Sequence, residues 1–78
     1  MNWHNHLQNI YNILDAKGYV EIKEELLEAQ KIGGTGGEIF LIISDKLQDI
    51  KVKQPSVYKE IDADVESILN YGRSIGYL

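Results

Sequence analysis

Apolar side chains early in the chain recur every three or four residues, the spacing of one helical face. The first such stripe consists of Trp3, Leu7, Ile10, Tyr11 and Leu14. It predicts a helix over about residues 3–16, with Gly18 as a left-handed C-terminal cap. A second stripe, formed by Tyr19, Ile22, Leu26 and Ala29, predicts a helix over about residues 19–31 that ends at Gly33 and Gly34. Four glutamates fall opposite this stripe and predict a solvated acidic face: Glu21, Glu24, Glu25 and Glu28.

The third segment has the composition of a buried strand, because residues 39–43 (IFLII) are rich in β-branched side chains and follow glycines. Three observations favour a helix over about residues 37–51. Thr35 and Glu38 have capping-box spacing, and the apolar pattern continues at helical intervals through Leu47 and Ile50. No other segment offers a strand partner, and an unpaired strand would leave its backbone polar groups unsatisfied.

The last segment follows Pro55, which breaks the chain, and Ser56 is the expected N-cap of a helix over about residues 57–75. Its apolar face is formed by Val57, Ile61, Val65, Ile68 and Ile75. Gly76 closes this helix, and Gly72 inside it indicates close approach of a neighbouring helix. The predicted fold class is all-α, a compact four-helix bundle that forms one domain over residues 1–78.

Charge and composition narrow the classes of function. The net charge is -4, the wrong sign for a protein that neutralises phosphates, so we expect no nucleic-acid partner. The absence of cysteine excludes disulfides and thiolate metal sites. No apolar stretch is long enough to span a membrane, and residues 1–14 lack the pattern of a signal peptide, so we expect a cytoplasmic protein with no membrane partner.

Three groups of residues could indicate a metal site, a phosphate-binding loop or a catalytic pair, but their spacing or sequence does not fit such a site. His4 and His6, two apart on a helix, point to opposite sides, so we expect exposed polar side chains there and no metal site. The glycine-rich loop at residues 33–37 lacks the Lys-Ser/Thr pair of a phosphate-binding loop, which favours a capped turn. Glu60 with Asp64, and Asp62 with Glu66, lie on two different flanks of the last helix. We therefore expect no enzyme, no catalytic residue and no cofactor.

Tyrosines at the edge of a core often anchor protein interfaces. Tyr11 and Tyr19 fall on apolar stripes and are expected to be structural. Tyr58 is less constrained by its stripe, and Tyr71 and Tyr77 lie near the end of the last helix, so each of these three is a candidate interface anchor.

Residues 33–78 resemble small immunity proteins of the MafI type, which protect bacteria from toxins of polymorphic secreted systems. The matching text is a glycine turn leading into residues 37–40 (GEIF), then residues 43–47 (ISDKL), 53–56 (KQPS) and 72–76 (GRSIG). The chain departs from the family pattern at Ser44, where cysteine is usual. Its glycine turn is also longer, with five residues. Helices 1 and 2 match only in type and length.

This resemblance implies tight binding to a cognate toxin domain, a nuclease of the EndoU type or a similar RNase, whose active site is blocked or distorted. An acidic surface would suit the basic groove that such a domain presents to RNA. The expected partner-binding residues are Asp45, Asp49, Tyr58, Glu60, Asp62 and Asp64. We expect the inhibitor to act as a monomer. The alternative is a small helical regulatory or adaptor protein that acts through protein–protein interaction or dimerisation.

Overall fold

The computed structural model describes residues 3–32 and 34–78, and they form four α-helices. Helix α1 spans Trp3–Lys17, and all five residues of the predicted stripe are buried. Gly18 adopts a φ of +81°, and the Tyr19 amide donates to the Leu14 carbonyl at 2.8 Å. This left-handed residue ends α1 as the sequence predicts, because glycine has no Cβ to oppose a positive φ.

Helices α2 and α3 confirm the assignment of the middle of the chain. Helix α2 spans Val20–Ile32 and α3 spans Gly36–Lys53, so the β-branched run is helical. The Glu38 amide donates to Thr35 Oγ1 at 3.2 Å, as expected for a capping box. The Glu38 carboxylate instead accepts from the Gly34 amide at 3.4 Å. Gly33, which the sequence assigns to this turn, lies outside the described residues.

Helix α4 spans Pro55–Ser74 and begins earlier than the sequence predicts. The prediction that Ser56 is the N-cap is wrong. Gln54 occupies the cap position, and Pro55 forms the first helical residue, where a missing N–H costs nothing and a fixed φ favours the helix. Ile75 lies beyond the last turn and is exposed, so its assignment to the buried face is also wrong.

The helices pack as an up-down-up-down four-helix bundle in which each helix contacts the next and α1 contacts α4. Lys23 near the start of α2 pairs with Asp15 near the end of α1, so these two helices are antiparallel. The end of α4 likewise meets the start of α3, where Gly72 lies against the ring of Phe40. Apolar side chains of all four helices form one core.

One hydroxyl lies inside this core. Ser44 is 1% exposed, and its Oγ is the one buried side-chain oxygen or nitrogen without a hydrogen-bond partner among the described residues. A buried polar atom without a partner loses its hydration and gains nothing in exchange.

The helix end beside Phe40 is closed by the last residues of the chain. Gly76 adopts a φ of +83°, and the Tyr77 amide donates to the Gly72 carbonyl at 2.8 Å. The reversed chain brings the Tyr77 ring to 5.5 Å from the Phe40 ring, measured between centroids. Gly76 therefore closes α4 as the sequence predicts.

Candidate partner-binding surface

The acidic side chains lie at the surface, with one exception. All twelve lie in the described part of the chain; eleven are exposed and Asp64 is half-buried. The burial of a carboxylate would carry a large desolvation cost unless a partner compensated for it. The negative charge of the protein is thus available to an approaching macromolecule, and its distribution over the four helices decides which face could bind.

Asp45 and Asp49 lie on the outer side of α3, away from the core, and both are exposed. Asp49 Oδ2 lies 3.4 Å from Lys53 Nζ, one helical turn further on. Asp49 also lines a groove of about 160 Å³ between α2 and α3, together with Glu25 and Lys46. Both aspartates are accessible to a partner, although basic side chains surround Asp49.

Glu60 and Asp64 project from the flank of α4 that faces α1. Glu60 Oε2 lies 3.5 Å from Lys17 Nζ, and Asp64 Oδ1 lies 2.9 Å from His6 Nδ1. Both carboxylates therefore contact side chains of the neighbouring helix. Glu60 and Asp64 therefore lie on the same flank of α4, as predicted. Their carboxylates form part of the contact between α1 and α4.

The contact between His6 and Asp64 also corrects the expectation that His4 and His6 are simply exposed. His6 is half-buried and reaches across to α4, whereas His4 is exposed and its ring lies 4.1 Å from the Trp3 ring, measured between centroids. Sequence reasoning missed this pair because its members are 58 positions apart.

Tyr58 and Asp62 project toward the opposite flank of α4. Tyr58 is buried, its hydroxyl donates to Glu66 Oε1 at 2.9 Å, and Lys51 Nζ lies 5.5 Å from the ring centroid. Burial raises the pKa of Tyr58 to about 12, helped by the hydrogen bond to Glu66 and the negative charges of Glu66 and Asp62. The expectation that Tyr58 is loosely constrained is wrong, because its ring packs into the core.

The other two candidate tyrosines differ from each other. Tyr71 is half-buried, and its ring meets Phe40 edge to face at 5.9 Å between centroids. Tyr77 is exposed, and its hydroxyl lies beside Gly37. Of the three, Tyr77 has the most surface free for a partner.

The six predicted partner-binding residues therefore do not form one continuous surface. They lie on three faces: the outer side of α3, the α1 flank of α4 and the α3 flank of α4. Their role in binding stays a prediction. A partner that contacts Asp45 and Asp62 would have to cross the groove of about 200 Å³ between α3 and α4, whose wall includes Tyr58 and Leu69.

The outer side of α2 carries a feature that the sequence analysis treated only as a solvated acidic face. Val20 and Ile32, at the two ends of this helix, are 54% and 74% exposed, and the four glutamates between them are exposed as well. The signal was present in the sequence as apolar residues outside the stripe of α2. This signal is weak by itself, because single exposed apolar residues are common.

The described part of the chain contains no group of three or more His, Cys, Asp or Glu residues that could hold a metal ion. Within the same ranges, no helix has the length and apolar character needed to cross a membrane. Comparison with protein-family models, with curated proteins and with solved structures finds no match to this chain.

Proposed function

We propose that this protein is an immunity-type inhibitor that binds a bacterial toxin domain, a nuclease, and neutralises it by occluding the active site. The observation that carries the proposal is the exposure of the acidic side chains: eleven of twelve are exposed, with a net charge of -4 on 78 residues. The cytoplasm is the expected location, because a secreted nuclease acts on nucleic acid inside the cell that it enters.

The physical basis is electrostatic complementarity. A nuclease presents a basic groove to the phosphates of its substrate, and an acidic surface can occupy that groove. Charges of opposite sign also speed the encounter, which suits an inhibitor that must act before its target does damage. A helical bundle supplies a rigid surface, so little conformational entropy is lost on binding.

The proposal predicts that a gene adjacent to this one encodes a secreted protein with a nuclease domain, and the test uses that domain. We expect the protein to protect cells that express this domain and to inhibit its nuclease activity in vitro at an equimolar ratio. Survival of the nuclease activity in the presence of excess protein, together with the absence of heat on calorimetric titration, would refute the proposal.

The predicted residues are tested in the same assay. Charge reversal at Asp45, Asp49 and Asp62, with Asp64→Asn to preserve its contact with His6, should weaken toxin binding at least about tenfold. A loss of affinity within a factor of about three would show that these residues lie outside the interface.

A second candidate function, a helical adaptor that dimerises, is favoured by exposed aliphatic residues on α3. Leu41 and Val52 are 46% and 80% exposed and lie on the same outer side of this helix. Apolar residues in such a position can form a helix–helix interface between two copies. Sedimentation at several protein concentrations distinguishes the two functions, because the adaptor would show a mass that rises with concentration.

A further inference from the structure

The outer side of α2 contains one row of exposed side chains. Val20, Glu24, Glu28 and Ile32 follow each other at four-residue intervals, and all four are exposed. We call them the α2 ridge. At 1.5 Å per residue the α2 ridge is about 18 Å long. Helix α2 packs against α1 and α3 through its other sides, where Ile22, Leu26 and Ala29 are buried.

The charges on this face oppose the stability of the helix. Glu21 with Glu25, and Glu24 with Glu28, are like-charged pairs four residues apart, a spacing that destabilises a helix. Among the described residues, no cation lies within ion-pair distance of Glu21, Glu24 or Glu25, and Glu28 meets only the exposed Lys31 at 3.8 Å. The repulsion would be relieved by a cationic partner.

The apolar residues of the α2 ridge also favour a binding partner at this face. Val20 and Ile32 are among the most exposed large apolar side chains of the described protein, and they stand at the two ends of the acidic row. Either residue alone would indicate nothing, because single exposed apolar residues are common. The two lie in one row with Glu24 and Glu28 between them, and such an arrangement is suited to a helical partner that packs along the ridge.

A groove of about 390 Å³ lies beside the first turn of α2. Its walls include Tyr19, Ile22 and Gln54, and its carboxylates are Glu21 and Glu25. No Lys or Arg lines this groove. The aliphatic part of a lysine or arginine side chain could lie on the ring and the isoleucine while its charged end reaches the two carboxylates.

We propose that the α2 ridge is the docking surface for a lysine- or arginine-rich amphipathic helix of a partner protein. The inference rests on the proposed function, because it names the face through which the inhibitor would hold a basic target. Charge complementarity decides the occupant. Helix α2 carries four glutamates and two lysines, and one of these, Lys23, already pairs with Asp15 of α1, so an acidic segment or a nucleic acid would be repelled.

The experiment uses the whole protein and a synthetic helical peptide of about 18 residues, with arginines four apart and a leucine near each end. A control peptide carries glutamate in place of arginine. The isotope-labelled protein is titrated with each peptide, and its amide chemical shifts are recorded. The basic peptide should change the amide shifts of Val20, Glu24, Glu28 and Ile32, and the control peptide should leave these shifts unchanged. Shift changes centred on α4, or spread evenly over all acidic residues, would overturn the inference.

Matched variants separate a specific face from general attraction. E24Q/E28Q should weaken peptide binding at least about tenfold, whereas E38Q/E66Q, which removes the same charge elsewhere, should weaken it less than about threefold. The control glutamines can still accept from the Gly34 amide and the Tyr58 hydroxyl. Equal losses in the two variants would overturn the inference.

The two proposals fail separately. If the toxin domain binds and E24Q/E28Q leaves its affinity unchanged, the α2 ridge is not the interface, although the proposed function stands. If the peptide binds at α2 but the neighbouring toxin is not inhibited, the docking surface stands and the proposed function fails.

Discussion

The ring of Phe40 fills the space that a side chain at Gly72 would need. A Cβ placed on Gly72 would lie 2.6 Å from Cε1 and 2.7 Å from Cζ of that ring. Phe40 has no exposed surface and also meets the Trp3 ring edge to face at 5.1 Å between centroids, so it cannot withdraw easily. Gly72 therefore sets the distance between α3 and α4.

Gly72→Ala should destabilise the bundle, although alanine is the better helix former. The gain in helix propensity is about 1 kcal/mol, and overpacking in a filled core costs about 1–3 kcal/mol. The difference between the two is a net loss of roughly 1 kcal/mol, with an upper bound of about 2 kcal/mol, to be measured by urea unfolding. Gly36→Ala is the matched control, because nothing lies within 4 Å of its added Cβ. A G72A variant as stable as the wild type would show that Phe40 can move aside.

Ser44→Ala should stabilise the protein. Its hydroxyl is buried without a partner, so its removal relieves a desolvation cost of about 1 kcal/mol while the volume changes little. The measurement is the midpoint of thermal unfolding, which should rise. Ser67→Ala serves as a control, since the Ser67 hydroxyl already donates to the Ala63 carbonyl at 3.1 Å. An S44A variant with a lower midpoint would contradict the prediction.

Tyr11 should make the fold sensitive to alkaline pH. Burial raises the pKa of Tyr11 to about 12 from an ordinary value of 10.0, and its hydroxyl donates to Gln30. Because the folded state favours the protonated phenol, this contribution to stability is complete below pH 10 and is lost as the pH rises toward 12.

The expected loss from Tyr11 is roughly 1 kcal/mol between about pH 9 and about pH 11. Urea unfolding at the two pH values measures it. Tyr11→Phe should be less stable at neutral pH, because the hydrogen bond to Gln30 is gone, but should lose less stability on going to alkaline pH. An equal alkaline loss in the variant would assign the effect to other groups.

Asp64 and Asp62 should respond differently to truncation. Asp64→Ala removes the acceptor of the half-buried His6 and should cost about 1 kcal/mol, whereas Asp62→Ala at an exposed position should have a much smaller effect. Urea unfolding of D64A, H6A and D64A/H6A gives the coupling between His6 and Asp64, and D62A serves as the exposed control. A coupling indistinguishable from zero would show that the contact adds nothing to stability.

The number of helices and their buried faces could be predicted from the sequence because helical periodicity is local. Leu7, Ile10 and Leu14 recur on one face of a single helix, so their burial could be predicted without knowing which helix packs against that face. The close approach at Gly72 was predictable for a related reason, since a glycine inside a helix needs an explanation in packing.

The arrangement of the acidic residues could not be predicted in the same way. Helical spacing placed Glu60 and Asp64 on one flank, but only the position of α1 shows that Lys17 and His6 meet them there. The burial of Tyr58 likewise depends on where α3 ends. The candidate site was therefore predicted as a list of acidic residues, and its division into three faces required the packing of the four helices.

The contact between α1 and α4 joins the two helices that are farthest apart in the sequence, and it therefore forms last during synthesis. Segments adjacent along the chain can pair as soon as both exist, but the first helix finds its second neighbour only when the last one has been synthesised. Until then the apolar stripe of α1 is covered on one side alone. During translation the nascent polypeptide should therefore stay sensitive to proteases until α4 has left the ribosome, and its resistance to proteases should then appear in a single step.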